Sequence, residues 1–128
     1  MRVFIILLIP LLLVFNSCET SDKLTSQEKD LSNLVGLFTE IEELALSVSC
    51  LDANSWSFTA YGAKACGGPQ GYIAYSSEIN TSLFLQKIEE YTLAEKAYNL
   101  KWGIISTCDI QNPPNSIECN NNLPVLRY

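Results

Sequence analysis

WSFTAYGAKACGGPQGYIAYS, residues 56–76, separates two helical stretches of the chain and interrupts their periodicity. Trp56, Phe58 and Tyr61 alternate imperfectly with small polar residues, which reads as a short strand, and Gly62 supplies the turn after it. Cys66-Gly67-Gly68-Pro69 is a tight, constrained corner in which at least one glycine is expected to take a positive φ. Gly71 adds a bend before the aromatic run Tyr72-Ile73-Ala74-Tyr75.

Upstream, Thr25-Ser26-Gln27-Glu28 fits a capping box, in which the Thr hydroxyl and the Glu carboxylate satisfy orphan amides at a helix start. Leu31, Leu34, Val35, Phe38, Ile41, Ala45 and Val48 recur at helical spacing and predict one apolar face running to Cys50. Gly36 within that helix costs about 1 kcal/mol against Ala and suggests a close packing contact. Asp52, Asn54 and Ser55 break the helix. Downstream, Asn80 caps a second helix with Leu83 or Phe84, Ile88, Tyr91, Ala94 and Tyr98 inward, and Gly103 stops it. Ile104-Ile105, a Pro113-Pro114 loop, Ile117-Glu118-Cys119, an Asn120-Asn121-Asn122 turn and Leu123-Pro124-Val125-Leu126 are consistent with two or three short strands. The resulting expectation is an α+β domain: two amphipathic helices packed on a small antiparallel sheet, stapled by two disulfides.

The N-terminus carries an address. Arg2 supplies a positive start, Val3 to Phe15 form a 13-residue apolar run, and Asn16-Ser17-Cys18 closes it before the polar Glu19-Thr20-Ser21-Asp22-Lys23. That pattern reads as a lipoprotein signal over residues 1–17, cut before Cys18, with residues 18–24 as a lipidated tether and 25–128 as one small domain. Phe15 and Asn16 stand where such signals usually carry Leu or Val and then a small residue, so processing requires a tolerant signal peptidase. A spanning helix needs about 20 apolar residues, and this run is shorter and holds Pro10. A diacylglycerol thioether and an amide-linked, palmitate-class acyl chain would anchor the protein to the membrane. Glu19 replaces the Asp most often tied to inner-membrane retention, which favours the outer membrane of the cell envelope.

Removing residues 1–17 leaves 111 residues with 7 basic against 14 acidic side chains, a net charge of −7. That balance argues against nucleic acid or anionic lipid headgroups as direct partners. Cys50, Cys66, Cys108 and Cys119 remain beside Cys18, an even set in an exported chain, and read as two disulfides. Four cysteines allow three connectivities; the local pairing Cys50–Cys66 with Cys108–Cys119 is the expectation. A four-thiolate metal site is the competing idea, but no pair has C-x2–4-C spacing.

Histidine is absent from all 128 residues. Ser-His-Asp and Cys-His nucleophilic sites and His-ligated zinc or haem are thereby excluded. The adjacent pairs Glu42-Glu43 and Glu89-Glu90 point about 100° apart on helices, cannot converge on one bond, and read as solvated faces. Gly67-Gly68 lacks the downstream Lys-Ser/Thr of a phosphate loop. No residue reads as catalytic and no cofactor is implied.

The order Cys50, Trp56, Cys66-Gly67-Gly68-Pro69 with Tyr72-Ile73-Ala74-Tyr75-Ser76, then Tyr91, Tyr98-Asn99, Ser106-Thr107-Cys108, Pro113-Pro114 and Cys119 resembles an uncharacterised group of small secreted or lipid-anchored bacterial domains. The match covers more than half of the mature chain. Such domains often carry Ser-Asp-Cys where this chain has Ser106-Thr107-Cys108, and a glycine and a further cysteine after the last one here. The resemblance implies a domain boundary and a disulfide role for the paired cysteines; it transfers no activity.

One candidate binding feature remains. Trp56, Tyr61, Tyr72 and Tyr75 surround a rigid corner, and aromatic rings with polar tips suit protein or glycan contacts. The weightier alternative places these rings in the core beside a disulfide. The candidate binding loop is Gly67, Gly68, Pro69, Gln70 and Tyr72. The function expected is a non-catalytic envelope lipoprotein that recognises another envelope protein, ahead of an assembly accessory of an envelope complex and of a small hydrolase or redox enzyme.

Overall fold

The computed structural model describes residues 25–128. The signal of residues 1–17, the lipidation at Cys18 and the tether of residues 18–24 lie outside the described residues. Helix α1 spans Ser26–Ala45 and opens with the capping box: the Glu28 amide donates to Thr25 Oγ1 (3.2 Å) and the Thr25 amide donates to Glu28 Oε2 (2.7 Å). These bonds hold the Glu28 carboxyl below its ordinary range. The helix ends five residues short of Cys50, with Leu46 as C-cap, so Val48 and Cys50 leave its axis for a second cluster. Helix α2, Thr81–Trp102, starts at the Asn80 cap and stops at Gly103, whose φ of +58° ends the helix in the left-handed region.

The helices run antiparallel. Gln27 meets Tyr98 and Asp30 meets Lys101 at one end, and Glu40 meets Lys87 towards the other. Leu34, Ile41 and Ala45 of α1 bury against Phe84, Ile88 and Tyr91 of α2. Between the adjacent candidates Leu83 and Phe84, the core takes Phe84. Leu31 and Val35, expected inward, are exposed. Successive residues turn about 100°, so Val35 sits a quarter-turn round from Leu34, beyond the stripe that α2 covers. Gly36 is a further correction: a Cβ there would meet nothing within 4 Å, so it marks no close contact.

Strands β1 (Trp56–Tyr61) and β2 (Gly71–Ser76) pair antiparallel, Trp56 opposite Ser76 and Tyr61 opposite Gly71. Strands β3 (Ser116–Asn120) and β4 (Leu123–Arg127) form a second hairpin, with Asn121 and Asn122 both at positive φ in its two-residue turn. The sheet is therefore two two-stranded units, and Ile104-Ile105 joins neither. Tyr61, Ile73 and Tyr75 face the helices, while Trp56 and Ala74 face Ile117, Cys119 and Leu126 of the second hairpin. The layers are thus helix pair, first hairpin, second hairpin. A hairpin buried on both faces needs apolar residues at odd and even positions, which explains the imperfect alternation of residues 56–61.

The disulfides are Cys50–Cys119 and Cys66–Cys108. The local pairing expected from the sequence does not form. Cys50 lies near the start of β1, its amide donating to Asn122 O (2.8 Å), whereas Cys66 lies beyond the other end of that strand. Six extended residues span about 20 Å, several times the reach of a disulfide. The observed bridges link residues 69 and 42 positions apart, and in the chain-entropy model each stabilises the fold by about 4 kcal/mol.

Candidate functional site

The loop between β1 and β2 is tied to α2 from several sides. Gly62 donates its amide to Thr92 Oγ1 (3.0 Å) and Ala63 donates its amide to Glu95 Oε2 (2.6 Å). Asn99 Nδ2 donates to Ala63 O (2.7 Å). Glu95 Oε1 accepts from Gln70 Nε2 (3.1 Å) and from the Tyr91 hydroxyl (3.3 Å). Glu95 is buried, and such a carboxylate persists in a core only when hydrogen bonds replace its water. Burial, then the neighbouring Glu95 charge, pushes the Tyr91 phenol well above its ordinary range.

Within the loop, the Lys64 amide donates to Gly68 O (2.9 Å) and the Gly67 amide to Lys64 O (3.0 Å). Gly67 and Gly68 both take positive φ, +104° and +83°, as the corner requires. A strap of chain after α2 closes the third side. Cys108 bonds Cys66, Ser106 Oγ accepts from the Cys66 amide (3.0 Å), and the buried Lys64 ammonium meets Asp109 Oδ2 (3.1 Å) and Asp109 O (2.9 Å). The Asp109 carboxyl is held below its ordinary range, first by the Thr107 hydroxyl and then by Lys64.

Between this braced loop and the last three turns of α2 lies an open cleft of about 700 Å³. Its size suits a small ligand or a partner's side chain. Ala63, Ala65, Gly67, Leu100 and Ile104 make the walls mainly apolar, and Lys96 stands in its lining. Lys96 makes no ion pair among the described residues, unlike Lys64. Asn99 and Ile104 separate the cleft from a smaller groove of about 330 Å³, which Leu31, Val35 and Tyr98 also line. The arrangement can hold an apolar group and place a negative charge near Lys96.

The candidate loop is divided by the fold. Gly67 and Gly68 line the cleft, Gln70 turns to Glu95 beside the smaller groove, and Pro69 is half-buried outside both. Tyr72 sits on the opposite face of β2, edge-on to Phe58 at 6.1 Å. The aromatic rings are largely core. Trp56 is buried beside Cys50, Tyr61 packs on Phe38 at 4.8 Å, and Tyr75 stacks on Phe84 at 4.9 Å. Thr92, Glu95, Lys96 and Leu100 carry no signal of a site in the sequence, and Asn99 stands out there only within the motif of the resemblance. For Glu95 a signal of burial was present, because Phe84, Ile88, Tyr91 and residue 95 share one helical stripe.

No protein family, curated protein or solved structure matches the chain.

Proposed function

We propose that the protein is a non-catalytic lipoprotein of the bacterial outer membrane that recognises another envelope protein, holding an apolar side chain of that partner in the cleft beside Lys96. The observation that carries this reading is the bracing of the cleft: its loop wall is held by Thr92, Glu95 and Asn99 on one side and by the Cys66–Cys108 bridge on the other. A wall ordered before binding loses little freedom on binding, which favours affinity. Cys18 and the apolar run before it support the lipid anchor and the envelope address. The resemblance to small lipid-anchored bacterial domains agrees with that address and leaves the partner open.

The test is an affinity capture from detergent-solubilised envelope with the lipidated protein as bait, run beside Ala65→Glu and Lys96→Glu baits. Both positions are exposed cleft-lining residues, so the variants should keep the parent melting temperature. A stoichiometric partner held by the parent and lost by both variants is expected. A partner retained equally by all three places recognition elsewhere and sinks the cleft reading.

A further inference from the structure

We infer that the end of the domain where α2 closes rests on the lipid bilayer, with Ile105 and Ile110 in contact with acyl chains. The inference rests on the proposed lipidation of Cys18. The first described residue, Thr25, caps the end of α1 that lies against the end of α2: Gln27 meets Tyr98, and Asp30 meets both Lys101 and Trp102. Six residues, 19–24, lie between the lipidated Cys18 and Thr25, a reach of at most about 25 Å even fully extended. The anchor therefore keeps this end of the domain within about 25 Å of the membrane, whereas the far end of α1 lies about 30 Å further along the helix.

The two most exposed aliphatic side chains belong to the segment that leaves this end: Ile105, two residues past the Gly103 cap, is 93% exposed, and Ile110, next to the Asp109 that pairs with Lys64 in the cleft wall, is 87% exposed. The strap that bears Ile105 is pinned at Gly103 by the helix cap and at Cys108 and Asp109 by the disulfide and Lys64, and Ile110 directly follows the last of these points. It is therefore held from folding these side chains into the neighbouring cleft. With acidic residues in excess across the chain, attraction to anionic headgroups is not the driving force, and an apolar contact is.

Tryptophan reporters test this in the mature lipidated protein, reconstituted into phosphatidylcholine vesicles with brominated acyl chains. Ile105→Trp places a ring at the proposed contact, and Leu51→Trp, at a position 80% exposed beyond the far end of α1, is the control. The parent protein supplies the background from Trp56 and Trp102. The added emission of the Ile105→Trp variant should shift to the blue, lose most of its intensity to bromine, and be shielded from aqueous acrylamide. Leu51→Trp should show the reverse. Vesicle co-flotation and the mass of the N-terminal peptide report the anchor separately. If the protein floats with its lipid in place while Ile105→Trp is quenched by acrylamide as freely as Leu51→Trp, the bilayer contact is overturned and the anchor stands. Shielding from both quenchers means that another copy or protein covers the surface, which also overturns it. A Cys18 without lipid removes both readings.

Discussion

The Glu95 carboxylate accepts the Ala63 amide at 2.6 Å, joining the middle of α2 to the loop that follows β1. The same side chain accepts from Gln70 and Tyr91, so one buried residue orders the loop across 32 positions of sequence. Glu95→Ala leaves the Ala63 amide without its partner and should lower unfolding free energy by about 1–3 kcal/mol. Urea denaturation measures this, and hydrogen exchange should show faster exchange at Ala63 in particular. Exchange there at the parent rate would mean that the loop is ordered by other contacts.

Two glycines of one loop should respond differently to alanine. Gly62 has a φ of +73°, and a Cβ built on it would lie 2.5 Å from Glu95 Oε2 and 2.8 Å from Gln70 Cγ. Gly68 has a φ of +83° but open space around it. Gly68→Ala should cost about 1–2 kcal/mol from backbone strain alone, and Gly68→Val about 1–3 kcal/mol. Gly62→Ala adds the collision and the disturbed Glu95 bonds, so its melting temperature should fall further. Equal losses at the two positions would contradict this ranking. Gln70→Ala, at an exposed position, should produce only a small loss through its bond to Glu95.

The two disulfides should be chemically distinct. Cys66 and Cys108 are both exposed, whereas Cys50 is buried under Trp56 and the second hairpin. Graded reduction of the folded domain should open Cys66–Cys108 first. Alkylation and peptide mapping under non-reducing conditions would identify the thiols released. Earlier labelling of Cys50 and Cys119 would show that burial does not govern access. Replacing the buried pair should cost about 2–5 kcal/mol.

Stability should fall in both acid and alkali. Glu28, Asp30 and Asp109 are held below their ordinary range by Thr25, Lys101 and Thr107 as the leading partners. A lowered carboxyl stabilises the fold above its unfolded value, near pH 4, and that contribution is lost as pH falls through the folded value. Asp109→Asn should flatten part of the acid limb in urea midpoints measured against pH. Tyr61 and Tyr91 are raised, chiefly by burial and next by Glu95. Their contribution is complete below about pH 10 and declines above it, because the unfolded chain ionises first. An alkaline limb unchanged by Tyr91→Phe would assign the loss to other groups.

Local chemistry was legible in the sequence. The Thr25–Glu28 box, the Asn80 cap, the Gly103 stop and the glycines of the corner act over four residues or fewer, so their neighbours in sequence are their neighbours in space. The α+β class followed from the spacing of apolar residues. Burial on the flanks of α1 did not, because Leu31 and Val35 carry the same pattern as Leu34, and only the position of α2 selects which of them is covered.

By itself the sequence determined where the helices begin, where the chain turns, and that four internal cysteines are available to pair. Tertiary structure alone decided which cysteines pair, since β1 carries Cys50 and Cys66 to opposite ends of a rigid strand while later segments bring Cys119 and Cys108 to them. It also decided that Glu95, one more charged residue on a helix by composition, is the buried acceptor that orders the cleft wall. The reason is the same in both cases: these partners are 25 to 69 residues apart, and no local periodicity records which distant backbone will arrive beside a given side chain.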